Sequence, residues 1–304
     1  MMAWFKRISL FLLVNFLIMI TISLIINLLG LQTFLTRKGI DYHSLLIFCL
    51  LWGMGGAFIS LLLSKKMAKW IVGVHAIDSH TNDPRIIKLL EIVESQAKKL
   101  KLPMPEVGIF ESRVPNAFAT GPTKSHSLVA ISRGLLDQLN PGELEAVIGH
   151  EMTHIANGDM VTMTLLQGII NAFVMFLARI LAFFFASSKD RDNSSMSFGS
   201  YYLFTFIFEI VFMLLGSLVL CAFSRFREYR ADKGGAILAG KSNMIAALRA
   251  LDKATVSISH QKLEREGAPA SVQALMIHPS KGSLLTQLFS THPSIEKRIE
   301  RLNQ

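Results

Sequence analysis

Four apolar stretches decide what kind of molecule this chain can be. Residues 8–29 and 45–63 contain no charged side chain, and 161–186 and 201–223 contain one each, Arg179 and Glu209. About 20 helical residues cross a hydrocarbon layer of about 30 Å, so every stretch is long enough to span. The 304 residues are 51% hydrophobic and only 17% charged, whereas soluble domains carry about 25% charged residues. The first stretch is too long for a signal-peptide core and lacks an A-x-A cleavage site, so it reads as an uncleaved anchor.

The net charge of +9 raises nucleic acid as a partner, but its placement argues for lipid. Lys6 and Arg7 precede the first stretch, Lys65, Lys66 and Lys69 follow the second, and Arg225, Arg227, Arg230 and Lys233 follow the fourth. Loop charges elsewhere nearly cancel, Arg37 and Lys38 against Asp41, and Lys189 and Arg191 against Asp190 and Asp192. The positive-inside rule then puts both termini and the long middle segment in the cytoplasm, with a basic collar facing phospholipid. Cys49 and Cys221 lie within apolar stretches without a CxxC partner, which argues against disulfides and thiolate metal sites.

The expected layout is two transmembrane helices in 1–63, a cytoplasmic segment in 64–160, a transmembrane hairpin in 161–223, and a second cytoplasmic segment in 224–304. An even number of spans separates the two polar segments, so they can form one domain. Asp83 or Asn82 with Pro84 opens an amphipathic helix, ended by Pro103 and Pro105. Residues 107–110, 114–119 and 127–132 read as strands of a small sheet. Residues 244–253 read as helical, 261–267 as a polar linker, and 257–282 as the most mobile segment. A last helix is expected with Thr291 as its cap and Pro293 at its first position. The fold class is α+β.

Before the third stretch stands His150-Glu151-Met152-Thr153-His154. Residues four apart share a helix face, so both imidazoles can hold one Zn²⁺ while Glu151 points toward the water the metal activates. Asn140, Pro141 and Glu143 supply an N-terminal cap, and Asn157-Gly158 a stop. Zinc in a hydrolase needs a third protein ligand. Glu228 follows the fourth stretch in FSRFREYRADKGGA, near the same membrane face as His154. Asp232, one turn later, could accept the outer N–H of a ligating imidazole. Spacing alone equally allows Glu228 and Asp232 to pair with Arg225, Arg227 or Arg230 on a charged helix.

HEMTH followed by NGD, an earlier VPNAFATG, a later REYRAD and a terminal THPSIEKRIERL resemble, in that order among four apolar stretches, the M48 family of membrane zinc metalloproteases, and within it the HtpX-like heat-shock proteases of bacterial inner membranes. The resemblance covers nearly the whole chain. It implies four transmembrane helices with a cytoplasmic zincin-type domain, an HExxH helix with a small β-sheet, and one Zn²⁺ per chain held by His150, His154 and Glu228. Glu151 would be the catalytic base and Asp232 the residue that orients a ligand. Asn116 matches the asparagine beside the substrate strand, and His292 and Arg298 the late pair that completes the pocket. His292 would donate to the developing oxyanion, and Arg298 would pair with Asp232. The group is also similar to the CAAX-processing zinc proteases, which have more spans.

The implied activity is endopeptidase cleavage of misfolded or damaged membrane proteins in the inner membrane. The implied partners are polypeptides and the bilayer, with room for a homo-oligomer or for quality-control partners, and without nucleic acid. A processing protease for one class of membrane-associated peptide is the alternative. A catalytically silent membrane scaffold is disfavoured because neither base nor ligand is missing. His75, His80, His126, His260 and His278 have no partner four residues on and read as solvated or structural. Gly53, Gly55 and Gly56 are expected to let helices pack closely. Arg179 and Glu209 each lie about 10–12 Å inside the same boundary, which predicts an interhelical ion pair; a wet cavity lined by both charges is the alternative.

Overall fold

A computed structural model describes residues 41–77, 81–189, 198–262 and 288–304. The 8–29 stretch, its basic flank, the loop charges at 37–38 and 190–192, His80, His278 and most of the 257–282 segment lie outside the described residues. In chain order the elements are α1 (Tyr42–Val72), β1 (His75–Ala76), α2 (Pro84–Lys99), β2 (Glu106–Phe110), β3 (Ala117–Thr120), a 3-10 turn at Lys124–His126, β4 (Leu128–Ser132), α3 (Arg133–Gln138), α4 (Pro141–Asn157), α5 (Asp159–Lys189), α6 (Phe198–Ala239), α7 (Lys241–Lys262) and α8 (Ile295–Asn303). Among the described residues, three helices are long and apolar enough to cross a membrane: α1, α5 over Asp159–Ala186 and α6 over Gly199–Ala239.

The described residues divide into two compact units. One combines residues up to Ile59 with Thr162–Val219, the other Ser60–Val161 with Leu220–Gln304. In the first, Tyr42, Leu46 and Cys49 of α1 pack with Phe176, Ile180 and Phe183 of α5. A Cβ at Gly53 would stand 2.6 Å from Ala172 N, so this contact requires glycine, while Gly55 and Gly56 face open space. Close packing thus uses one of the three glycines expected to serve it. Arg179 Nη1 donates to Glu209 Oε1 at 2.9 Å and to Met175 O at 3.0 Å, which ties α5 to α6.

The second unit is built on a four-stranded sheet of order β1-β2-β4-β3. β2 and β4 run parallel, and β3 is antiparallel to β4 on one edge. Every residue of β4 is buried, because both faces are covered. Val129 and Ile131 join a core with Leu89 and Val93 of α2, Val147 and Ile148 of α4, and Leu248 of α7. Leu128 and Ala130 turn to the other face, against Ala68, Val74, Phe110 and Phe118. Burial of each such aliphatic side chain contributes about 1.5–3 kcal/mol.

Several boundaries differ from expectation. The 114–119 strand begins only at Ala117, since the amides of 114 and 116 bond to serine side chains instead of a strand: Ser112 Oγ accepts from Val114 N and Ser132 Oγ from Asn116 N. The last helix is capped by Ser294, not Thr291. Pro293 drives the residue before it out of the helical region, so the helix cannot start through His292. β1 and α3 have no counterpart in the sequence reading.

Candidate metal centre

Helix α4 is delimited by local chemistry. Asn140 Oδ1 accepts from Glu143 N at 2.9 Å, and Glu143 Oε2 accepts from Asn140 N at 3.0 Å, a reciprocal cap. At the other end Gly158 adopts φ 65°, a conformation that costs other residues strain. Between them Leu144, Val147, Ile148, Met152 and Ile155 are buried. That face pins the helix and leaves both imidazoles projecting from the same side.

Helix α6 comes unusually close. A Cβ at Gly235 would lie 3.0 Å from Ala146 O and 3.1 Å from His150 N, and one at Gly234 would overlap Thr153 Oγ1. Two adjacent glycines therefore let α6 rest on the backbone of α4. The approach carries Glu228 to the histidines. Its Oε2 is 3.3 Å from His150 Nε2, its Oε1 is 3.4 Å from His154 Nε2, and the two Nε2 atoms are 3.1 Å apart. His150, His154 and Glu228 are the group among the described residues whose donor atoms all lie within 4.8 Å of one another and could hold a metal ion.

The donor set fits a small divalent cation. Bonds of about 2.0–2.1 Å at tetrahedral angles put ligand atoms about 3.3 Å apart, close to the separations here. With both imidazoles neutral, as metal ligands must be, four carboxylates, Glu151, Asp159, Glu228 and Asp232, outnumber two guanidinium groups, Arg230 and Arg298, and a cation would offset the difference. Glu228 Oε2 and His292 Nδ1 face each other at 2.9 Å outside hydrogen-bonding geometry, and both are buried without a hydrogen-bond partner.

Each imidazole is held from behind through Nδ1. His150 Nδ1 lies 2.9 Å from Asp232 Oδ1, and Arg298 forks onto that carboxylate at 2.6 and 2.8 Å. His154 Nδ1 lies 2.7 Å from Asp159 Oδ2, whose other oxygen accepts from Arg230 Nη2 at 3.1 Å. Asp159 and Arg230 are the residues that sequence reasoning missed. The available signal was the NGD that follows HEMTH.

Burial alone would lower the His154 imidazolium, but Asp159 and Glu228 outweigh it and raise its pKa to about 10. His150 is raised likewise, with Asp232 and Glu228 overcoming burial. Burial pushes the Glu151 carboxyl up, because its charged form loses water. Glu151 is 5% exposed, next to both histidines on α4. Asn116 is buried just before β3 with Oδ1 lacking a hydrogen-bond partner. The sequence-expected residues His150, Glu151, His154, Glu228, Asp232, His292 and Arg298 come together here, whereas His75 and His126 sit outside on β1 and the 3-10 turn.

The peptidase family M48 model matches residues 85–304. The chain is 45% identical over 304 residues to "Protease HtpX homolog" of Methylacidiphilum infernorum, covering 99% of each. It is 46% identical to the protein of that name from Prosthecochloris aestuarii and 44% identical to "Protease HtpX" of Thioalkalivibrio sulfidiphilus, in both cases over 98% of each chain. The crystal structure of S. mikatae Ste24p superposes with a TM-score of 0.59 at 15% identity, over 93% of this chain and 65% of that one. At that identity the likeness is one of fold, and this chain spans about two thirds of that protein's length.

Proposed function

The chain belongs to peptidase family M48 and is a membrane-bound metalloprotease, and from that premise we propose that it is a zinc-dependent endopeptidase of the inner membrane that cleaves misfolded or damaged membrane proteins on the cytoplasmic side. Two N-terminal spans in 1–63 and a hairpin in 161–223 anchor it, and 64–160 with 224–304 form the zincin-type catalytic domain. The division of the described residues into two compact units supports that arrangement. The basic residues at 65–69 and 225–233 support the cytoplasmic orientation.

The observation that carries the proposal is the convergence of two Nε2 atoms and one carboxylate with Glu151 beside them. His150, His154 and Glu228 would hold one zinc, which when bound would acidify a water and polarise the scissile carbonyl. Glu151 takes a proton from the attacking water and returns it to the leaving amine. Burial raises its pKa above the ordinary carboxylate range, which strengthens it as a base. His292, 19% exposed at the rim, donates to the charge that develops on the carbonyl oxygen. Arg298 stiffens the ligand helix through Asp232. Among the described residues β3 is an edge strand, which can offer main-chain pairing to an extended peptide, with Asn116 just before its start. That recognition tolerates many sequences, as a quality-control protease requires.

The test is metal content together with casein cleavage by the full chain in detergent. Glu151→Gln should retain zinc and lose cleavage, and a chelator should abolish cleavage by the unaltered protein. Cleavage by Glu151→Gln at the unaltered rate would remove Glu151 from the mechanism.

A further inference from the structure

One stripe of α6 meets the returning C-terminal segment at four points. Cys221, Arg225, Glu228 and Asp232 stand at i, i+4, i+7 and i+11, on one helix face. Cys221 Sγ donates to Phe289 O at 3.2 Å. Arg225 Nη1 donates to Leu288 O and Ser290 O, both at 2.8 Å. Glu228 Oε2 faces His292 Nδ1, and Asp232 takes the Arg298 fork.

Metal chemistry accounts for the last two points but not for the first two. Arg225 directs its guanidinium at two main-chain carbonyls two residues apart. That fork fixes the main chain at 288 and 290 against α6. A turn then passes the constraint forward: Ser290 Oγ accepts from His292 N at 3.2 Å and donates to His292 O at 2.6 Å. His292 therefore sits between anchors on both sides, Arg225 and Cys221 upstream and Arg298 six residues downstream. Without the Arg225 fork the main chain at 288 and 290 loses both of its guanidinium bonds, and the imidazole shifts from the Glu228 carboxylate.

We infer that Arg225 is a positioning residue that holds the 288–290 main chain so that His292 stays over the metal site, and that it governs turnover without contributing to metal capture. The inference rests on the role assigned to His292 above. A misplacement of about 1 Å at a reacting centre can cost about 100-fold in rate, so a residue that touches no ligand can still set kcat.

The experiment compares the full-length protein in detergent with Arg225→Ala, Arg225→Lys, His292→Ala and the Arg225→Ala/His292→Ala pair. Arg225→Ala should lower kcat about 10- to 100-fold, with zinc content unchanged and KM within about twofold. Arg225→Lys should recover part of the loss, since an ammonium can still donate to both carbonyls. The double variant should be no slower than His292→Ala, because both changes remove one device. Arg225→Ala turning over at the unaltered rate, losing its zinc, or adding its full loss to that of His292→Ala would overturn the inference. A fully active His292→Ala beside a slow Arg225→Ala would overturn it too. Failure of the unaltered protein to cleave in a chelator-sensitive way would instead remove the proposed function.

Discussion

His150 and His154 leave the same helix four residues apart, yet they are supported in opposite ways. Behind His150, Asp232 and Arg298 are each 1% exposed and locked by a two-point fork. Behind His154, Asp159 is equally buried, but its guanidinium partner Arg230 is 48% exposed and makes one bond. The same carboxylate–imidazole device is thus sealed on one side and open to water on the other. A buried pair loses hydration that only its partner replaces, whereas an exposed arginine can be replaced by solvent. The two supports therefore differ at their outer ends, where Arg298 is sealed in the fold and Arg230 is open to solvent.

The largest break in that contrast is Arg298→Ala. It leaves the Asp232 carboxylate buried and unpaired, which should cost about 3–5 kcal/mol and show as a large drop in melting temperature together with lost zinc. Next is Asp159→Asn, which keeps the shape but weakens the hold on His154. Zinc affinity should fall about 10- to 100-fold by competition with a chelator, and the metal-free protein should melt lower at neutral pH, because the carboxylate that raises the His154 pKa has lost its charge.

A graded effect should separate the metal-free from the loaded protein. The His154 pKa is raised to about 10 in the folded metal-free chain, from an ordinary value of about 6.5 when unfolded. Its contribution is complete below about pH 6.5 and is lost as pH rises toward 10. Chelator-treated protein should therefore melt progressively lower across that window. The zinc-loaded protein should not, because its ligand is already neutral. The smallest effect belongs to Arg230→Ala, within about 1 kcal/mol of stability by thermal melting and with a several-fold loss of zinc affinity at most. A loss there as large as that of Arg298→Ala would erase the contrast.

What the sequence made legible follows the range of the interactions. The caps of α4, the i, i+4 histidines and the Gly158 stop are local, and each residue type carries its own signal. Glu228 and Asp232 could be placed because they follow an apolar stretch near the HEMTH boundary, although spacing alone left arginine pairing open. Asp159 was hidden for a geometric reason. Five residues after His154 it would point well away from it on a continuous helix, and only the left-handed turn at Gly158 between α4 and α5 brings it back. Arg225 was hidden because its partners are main-chain carbonyls 63 and 65 residues away, which leave no pattern in side chains. The His154 support and the Arg225 fork belong to long-range or turn geometry, while the ligands themselves lie on regular helices.

The centre of the account is that α6 brings a carboxylate to the two imidazoles of α4 to complete a metal site. The direct measurement is the metal content of purified Glu228→Ala beside the unaltered protein, with folding checked by thermal melting. About one zinc per chain in the unaltered protein and close to none in the folded variant is the predicted result. A Glu228→Ala protein that keeps its full complement of zinc and its cleavage rate would contradict it.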